Sequence, residues 1–145
     1  MPDQARVLVV AHRTAATPPL LEAVRERARR SPARFTLLVP KSVHGISRLT
    51  DPEDVSPEEA QGVLDLALPL LEEACGGPVG GMIGVADPLS AIEDAVNLDG
   101  YDEVILSTLP TRVSRWLRLD LPHKVAGLGV PVTTVTARER EGVAA

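Results

Sequence analysis

Residues 102–136 read DEVILSTLPTRVSRWLRLDLPHKVAGLGVPVTTVT and decide the fold. The stretch predicts a buried strand (104–106), a polar turn (107–112), a basic segment, a short helix that begins at Asp120, and a last strand (130–135). A strand that leads through a polar turn and a helix to a further strand is the unit that builds ligand clefts in open α/β sheets. The turn contains no glycine. This absence argues against a simple phosphate-wrapping loop.

The rest of the chain alternates in the same way. Continuous apolar runs at 6–11 and 35–39 are typical of strands buried on both faces. A weaker strand is expected at 79–85, because its glycines at 80, 81 and 84 would pack against nothing. Helices are predicted at about 17–30, 56–75 and 87–99, with hydroxyl or carboxylate caps at Thr17 and Asp87. Pro69 should kink or interrupt the second helix.

The order βαβαβαβαβ requires parallel strands joined by right-handed helical crossovers. We therefore expect one α/β domain over residues 1–136, with a five-stranded parallel sheet and helices on both faces. The charged or small residues 137–145 predict a flexible tail. The connection 41–55 is longer than most, which favours a lid or a surface for a protein partner.

Composition excludes several classes of function. With 145 residues and a formal net charge of −5, the chain offers no positive field for nucleic acid or an anionic membrane. It has only three aromatic residues, which rules out a stacking platform for bases. The single cysteine, Cys75, allows no internal disulfide or zinc knuckle. No signal peptide or membrane span is visible, so we expect a cytoplasmic protein without a metal site.

Ligands of doubly wound sheets bind outside the carboxyl ends of the strands that flank the topological switch. With strand one in the centre, three segments of this sequence meet at that edge. The candidate ligand-binding residues are His12, Arg13 and Thr14 after strand one, Val39 and Pro40 after strand two, and Ser107, Thr108, Arg112, Arg115 and Asp120 after strand four.

Three segments resemble a universal stress protein domain: VLVVAH at 7–12, DEVILST at 102–108 and VPVTTV at 130–135. The resemblance covers nearly the whole chain. It implies a Rossmann-like fold of the adenine nucleotide alpha hydrolase type, with strand order 3-2-1-4-5. It also implies a homodimer formed through the last strand, with Val130, Val132 and Val135 as candidate interface residues. Such an exposed strand edge is a hazard unless another chain pairs with it.

Members of this family that bind ATP share a pattern of glycines: one glycine, two residues, a second glycine, nine residues, then a glycine followed by serine or threonine. Here these positions carry Ser107, Pro110, and Asp120 followed by Leu121. His12 stands where ATP binders have an acidic residue. Proline lacks a backbone donor, and the carboxylate of Asp120 repels phosphate. We therefore expect a degenerate cleft without ATP as a cofactor, in a non-catalytic module of stress adaptation.

Two alternatives remain. Arg112, Arg115 and Arg118 could bind a nucleotide or another small anion bidentately in place of the glycine loop, or they could be solvated or paired with nearby carboxylates. A small hydrolase using His12 and Asp120, with Ser107 as nucleophile, is the second alternative, although no GxSxG elbow is present.

Overall fold

The apolar run Ala5–Val10 forms the central strand, β1, of a five-stranded parallel sheet. The computed structural model describes residues 4–11, 13–40, 57–84, 87–110 and 114–137. Along the chain the elements are β1 (Ala5–Val10), α1 (Pro18–Arg30), β2 (Ala33–Pro40), α2 (Pro57–Cys75), β3 (Val79–Gly84), α3 (Pro88–Asp99), β4 (Glu103–Thr108), α4 (Arg115–Arg118), α5 (Leu121–Ala126) and β5 (Val132–Thr136). The predicted 41–55 connection lies outside the described residues.

The strands lie in the order β3-β2-β1-β4-β5, and each neighbouring pair is parallel. Val9 stands between Leu37 of β2 and Ile105 of β4. The predicted fold class and strand order are confirmed. The chain winds outward from β1 to β3 on one side, and then crosses back to build β4 and β5 on the other.

Both faces of the sheet carry a core of aliphatic side chains. One core joins α1 and α2 to the sheet through Leu20, Val24, Leu64 and Leu71, and the other joins α3, α4 and α5 through Ile92, Trp116, Leu121 and Val125. Side chains alternate along a strand, so β1 serves both cores: Val7 and Val9 face the first, and Leu8 and Val10 the second. This double burial explains why β1 is a continuous apolar run.

One buried ion pair joins the first core layer to the sheet. The Nε atom of Arg27 on α1 donates to the Oε1 atom of Glu103, the first residue of β4, at 2.7 Å. The same guanidinium also donates to the backbone oxygen and the hydroxyl of Ser31. Because both charged side chains are largely removed from water, each depends on the other for its hydrogen bonds.

The predicted helix boundaries were mostly close, and the interruption considered at Pro69 does not occur. Helix α2 runs without interruption through Pro69. Pro69 lies on the exposed side, while Ala67 and Leu71 hold the helix to the sheet from the inner side. Burial of that face outweighs the missing backbone donor. The predicted Asp87 cap is confirmed, since its carboxylate accepts from the backbone N–H of Ser90 at 3.1 Å.

The first residue of the predicted tail packs against the fold. Ala137 is buried, and its backbone N–H donates to the carbonyl of Thr108 at 2.9 Å. Residues 138–145 lie outside the described part of the chain. Of the helices in the described part, none is long and apolar enough to cross a membrane.

The expectation that the glycines of β3 pack against nothing was wrong for two of them. A Cβ atom on Gly84 would lie 2.7 Å from the Cβ atom of Ala91 on α3, and one on Gly81 would lie 3.1 Å from methyl groups of Leu64 and Leu68. These glycines let the helices approach the edge strand closely. At Gly80 a Cβ would meet only Thr36, at an ordinary 3.5 Å.

We expect Gly84→Ala to destabilise the protein by about 1–3 kcal/mol, because neither backbone can yield without shifting α3 from the sheet. Urea unfolding measures the change. The matched control is Gly80→Ala in the same strand, which should stay within about 0.5 kcal/mol of the unmodified protein. Equal effects of the two substitutions would contradict a close helix–strand contact at Gly84.

Candidate functional site

The carboxyl ends of β1 and β4 lie side by side at the point where the winding of the sheet reverses. We call this region the switch-point edge: residues 11 and 13–17 after β1, the end of β2, and the end of β4 with residues 109–110 and 114–121. Open α/β sheets form their ligand clefts at such a point. The structure therefore brings together the predicted segments that it describes.

A buried pair of hydroxyls closes the centre of this edge. The Oγ1 atom of Thr14 and the Oγ atom of Ser107 are 2.7 Å apart, and both side chains are almost fully buried. Each hydroxyl can donate or accept, so one of the two donates to the other and each has a partner within the fold. Thr14 and Ser107, which were predicted to bind a ligand, are hydrogen-bonded to each other in the structure.

The turn after β1 is fixed by its own hydrogen bonds. The Oγ1 atom of Thr17 donates to the carbonyl of Thr14 at 2.9 Å, and the backbone N–H of Thr17 donates to the same oxygen at 3.1 Å. The predicted hydroxyl cap of α1 was wrong, because the Thr17 hydroxyl points back into the turn rather than toward the helix. This turn holds Thr14 against Ser107.

Strand β4 extends two residues further at its carboxyl end than predicted, which changes the setting of Thr108. Ser107 and Thr108 are its last residues rather than part of a free turn. Thr108 is buried, and its hydroxyl donates to that of Thr136, its register partner on β5, at 3.3 Å. The strand is longer because pairing with β5 continues to this position, and both hydroxyls find partners inside the fold.

Val39 and Pro40 end strand β2 and are both buried. Val39 belongs to the core under α1 and α2, and Pro40 pairs in register with Gly84. They form an apolar wall and bring no polar side-chain group to the edge.

Asp120 occupies the position of the third family glycine and keeps a glycine-like backbone. Its φ and ψ of 57° and 40° lie in the left-handed region, where no other described non-glycine residue is found. Aspartate tolerates this region better than most residues. Asp120 stands at the N-cap position of α5, but its carboxylate makes no capping hydrogen bond.

The helix that follows Asp120 offers little to a phosphate. Leu121 is buried in the second core, at the position where the pattern has serine or threonine. Pro122 comes next and has no backbone N–H. Together with Pro110, it removes two backbone donors from this edge. The sequence prediction considered the missing donor of Pro110 but not that of Pro122, although Pro122 stands two residues after Asp120.

The described arginines near the edge differ in their surroundings. Arg13 forms an ion pair with Glu59 of α2 at 3.4 Å, with both side chains about half exposed. Arg115 and Arg118 are exposed at the two ends of α4. This short helix was not predicted; Ser114 caps it, its hydroxyl accepting from the N–H of Leu117 at 3.2 Å. Trp116 is buried, as expected for packing under the loop.

Two predicted site residues, His12 and Arg112, lie outside the described residues. For the hydrolase alternative, the described geometry gives Ser107 a threonine partner, while Asp120 is exposed on a left-handed turn. A serine nucleophile needs a hydrogen-bonded base, and no described residue provides one. Within the part of the chain that is described, no three His, Cys, Asp or Glu side chains are grouped to hold a metal ion.

The three valines predicted for a dimer interface are half-buried. Val130 and Val132 pack partly against the second core, and Val135 against the first. Strand β5 pairs only with β4 and forms one edge of the described sheet. The other edge is β3.

A second hollow, of about 620 Å³, lies at the opposite, amino-terminal edge of the sheet between the starts of β2 and β3. Arg6 lines this hollow. Its guanidinium lies over the ring of Tyr101, 5.3 Å from the ring centroid, and donates to the backbone carbonyl of Asp99. Arg6 thus serves the fold itself.

Comparison with solved structures gives a consistent answer for the fold. A universal stress protein from Archaeoglobus fulgidus superposes with a TM-score of 0.63 at 15% identity, covering 93% of this chain and 95% of that chain. The same comparison with its complex with dAMP gives a TM-score of 0.60 at 15% identity, with 93% and 99% covered. This chain has the fold of the universal stress proteins.

A protein of the universal stress protein family from Burkholderia pseudomallei superposes with a TM-score of 0.61 at 18% identity, covering 94% of this chain and all of that one. No protein-family model matches the chain, and a search of curated proteins found no match. At these identities the likeness to universal stress proteins concerns the fold alone. The ligand of the switch-point edge must therefore be argued from the residues of this chain.

The hydroxyl pair gives a direct test of the site geometry. We expect Thr14→Val to destabilise the protein by about 1–3 kcal/mol, because it leaves the buried Ser107 hydroxyl without its partner. Thr14→Ser is the matched control and should retain most of the stability. Adding Ser107→Ala to Thr14→Val should recover part of the loss, which a double-mutant cycle in urea detects. Additive losses would contradict the pairing.

Proposed function

We propose that this chain is a non-catalytic module of the universal-stress-protein type that acts in stress adaptation in the cytoplasm. It works as a homodimer, and its switch-point edge does not take ATP in the way the family's glycine pattern implies. The observation that carries this proposal is the buried pair of Thr14 and Ser107, which fills the centre of the edge with mutually satisfied hydroxyls.

The backbone around the edge supports the same conclusion. Asp120 keeps a left-handed conformation but adds a carboxylate, and Pro110 and Pro122 remove N–H donors. A phosphate is held mainly by backbone donors and a favourable field at a helix start. In this chain both the backbone donors and the favourable field at the helix start are reduced. The Archaeoglobus fulgidus protein, by contrast, was solved in complex with dAMP.

A second candidate is an anion binder that uses arginines instead of a glycine loop. Arg115 and Arg118 are exposed within the switch-point edge, and Lys124 is exposed on the helix that follows it. Guanidinium groups bind phosphate or carboxylate bidentately and need no nearby glycine. This candidate predicts binding of small anions without the backbone geometry of the family pattern.

A thermal-shift titration with ATP, ADP and AMP, with and without Mg²⁺, separates the two candidates. We expect no saturable rise in the melting temperature. A ligand at a hundred times its dissociation constant would stabilise the fold by about 2.7 kcal/mol, which such a titration detects readily.

The control variants are Arg115→Gln and Arg29→Gln. Arg29 is an exposed arginine on α1 that pairs with Glu26, on the far side of the helix layer. A saturable shift that Arg115→Gln removes and Arg29→Gln retains would overturn the main proposal in favour of the arginine-based site. A shift that survives both would place a nucleotide elsewhere and would also contradict it.

The proposed homodimer pairs β5 of one chain with β5 of the other. In this strand the carbonyl of Pro131 and the N–H of Ala137 bond to β4. Backbone groups alternate in direction along a strand, so those of Thr134 point to the unpaired edge. An edge with free donors and half-buried valines pairs readily with a second copy across a twofold axis.

We expect the unmodified protein to be a dimer in sedimentation equilibrium and Thr134→Pro to be a monomer with a folded circular-dichroism spectrum. Proline at this position removes an edge donor and leaves the bonds to β4 intact. Thr134→Ala, the matched control, should remain dimeric. A Thr134→Pro variant that dimerises with unchanged affinity would show that β5 is not the interface.

A further inference from the structure

Helix α2 is apolar on two sides, and only one of them is covered. Its inner side packs on the sheet through buried residues at a helical spacing: Ala60, Leu64, Ala67, Leu71 and Ala74. Its outer side presents Gly62, Leu66, Pro69 and Leu70, which we call the outer stripe. All four are exposed, with 66% of Leu66 and 37% of Leu70 accessible to solvent.

The neighbouring helix on the same face of the sheet shows the usual alternative. Helix α1 turns its outer side to solvent with charged residues, and its exposed glutamates pair with arginines one turn away, as in Glu22 with Arg25 and Glu26 with Arg29. The two helices pack on the same core but differ in their outer surfaces. A helix at this place in the fold can therefore carry a charged outer surface, and the apolar outer stripe of α2 is a feature of its own sequence.

Gly62 adds an independent observation. A Cβ atom at this position would meet no atom within 4 Å, so the fold itself does not require glycine there. Glycine in a helix interior costs about 1 kcal/mol relative to alanine. A missing side chain on an exposed helix face allows the backbone of another molecule to approach closely.

The surroundings of the stripe are acidic. Helix α2 contains five carboxylates (Glu58, Glu59, Asp65, Glu72 and Glu73) and no lysine or arginine. At 100° per residue, Glu59 and Glu73 lie at the two ends of the stripe, and Glu58, Asp65 and Glu72 follow one flank. Of these five carboxylates, only Glu59 has an ion-pair partner among the described residues. Glu72 accepts from the backbone N–H of Val79 at 3.2 Å, and Asp65 accepts from the side-chain amide of Gln61 at 3.0 Å.

We infer that the outer stripe of α2 is a docking surface for a cationic amphipathic helix of a partner protein. Apolar residues at i, i+4, i+7 and i+8 span about 12 Å, which matches a little more than two turns of such a helix laid along the stripe. Its lysines or arginines would face the carboxylates at the ends and along the flank. Pairing α2 with α2 of a second copy would instead bring ten carboxylates together, which like-charge repulsion opposes.

The direct test uses the full chain and a fluorescein-labelled synthetic peptide of 18 residues built from leucine and lysine, with its leucines on one helical face. Fluorescence anisotropy should show saturable binding that weakens as salt is raised. A peptide of the same composition with scrambled order should bind much more weakly, and so should one with glutamate in place of lysine. This test involves no nucleotide, so its outcome is independent of the switch-point edge.

Variants of the protein locate the binding. The Leu66→Gln/Leu70→Gln double variant should weaken it about tenfold or more, because it removes the apolar anchors. Glu58→Gln/Glu73→Gln should weaken it less and reduce its dependence on salt. Leu98→Gln is the matched control: Leu98 is 84% exposed on α3 and should leave the affinity unchanged within about twofold.

Several results would overturn the inference. Absence of peptide binding would do so, as would binding that the double leucine variant does not weaken or that the scrambled peptide reproduces. Self-association that Leu66→Gln/Leu70→Gln abolishes, without peptide binding, would assign the stripe to a second copy. Binding to phosphatidylcholine vesicles that requires these leucines would assign it to lipid.

Discussion

The burial of β1 on both faces is the constraint on which the rest of the structure depends. Its side chains at 7–10 are wholly removed from water, two on each side of the sheet. A parallel strand in that position needs helices above and below it, and each crossover has to be right-handed. The chain meets this requirement by winding to β3 with α1 and α2 on one face, and then to β5 with α3 to α5 on the other.

The reversal of winding also creates the functional edge, because β1 and β4 end side by side without a helix between their carboxyl ends. In this chain several described side chains at this edge are buried. They are the paired Thr14 and Ser107, Val39 and Pro40 at the end of β2, and Leu121. Asp120 retains the left-handed turn that a glycine would adopt, so the backbone path persists while its ligand chemistry differs.

The surfaces that remain for interaction lie away from this edge. Strand β5 leaves backbone donors and acceptors on one side of the described sheet, and α2 leaves an apolar stripe among carboxylates. The two surfaces differ in kind: one offers a strand to pair with, and the other offers leucines and negative charge.

The sequence by itself determined the number and type of the strands, their parallel direction, and the place of the candidate edge, since all of these depend on hydrophobic pattern and on local residues such as Asp87 and Gly100. Tertiary structure decided the contacts between elements, which the hydrophobic pattern of the sequence does not specify. Thr14 and Ser107 are 93 residues apart in the sequence, so their contact is determined by the order of the strands rather than by neighbouring residues. The continuity of α2 through Pro69 and the close contact of Gly84 with Ala91 likewise follow from packing between elements. Local propensity cannot supply such contacts, because they exist only after both faces of the sheet are covered.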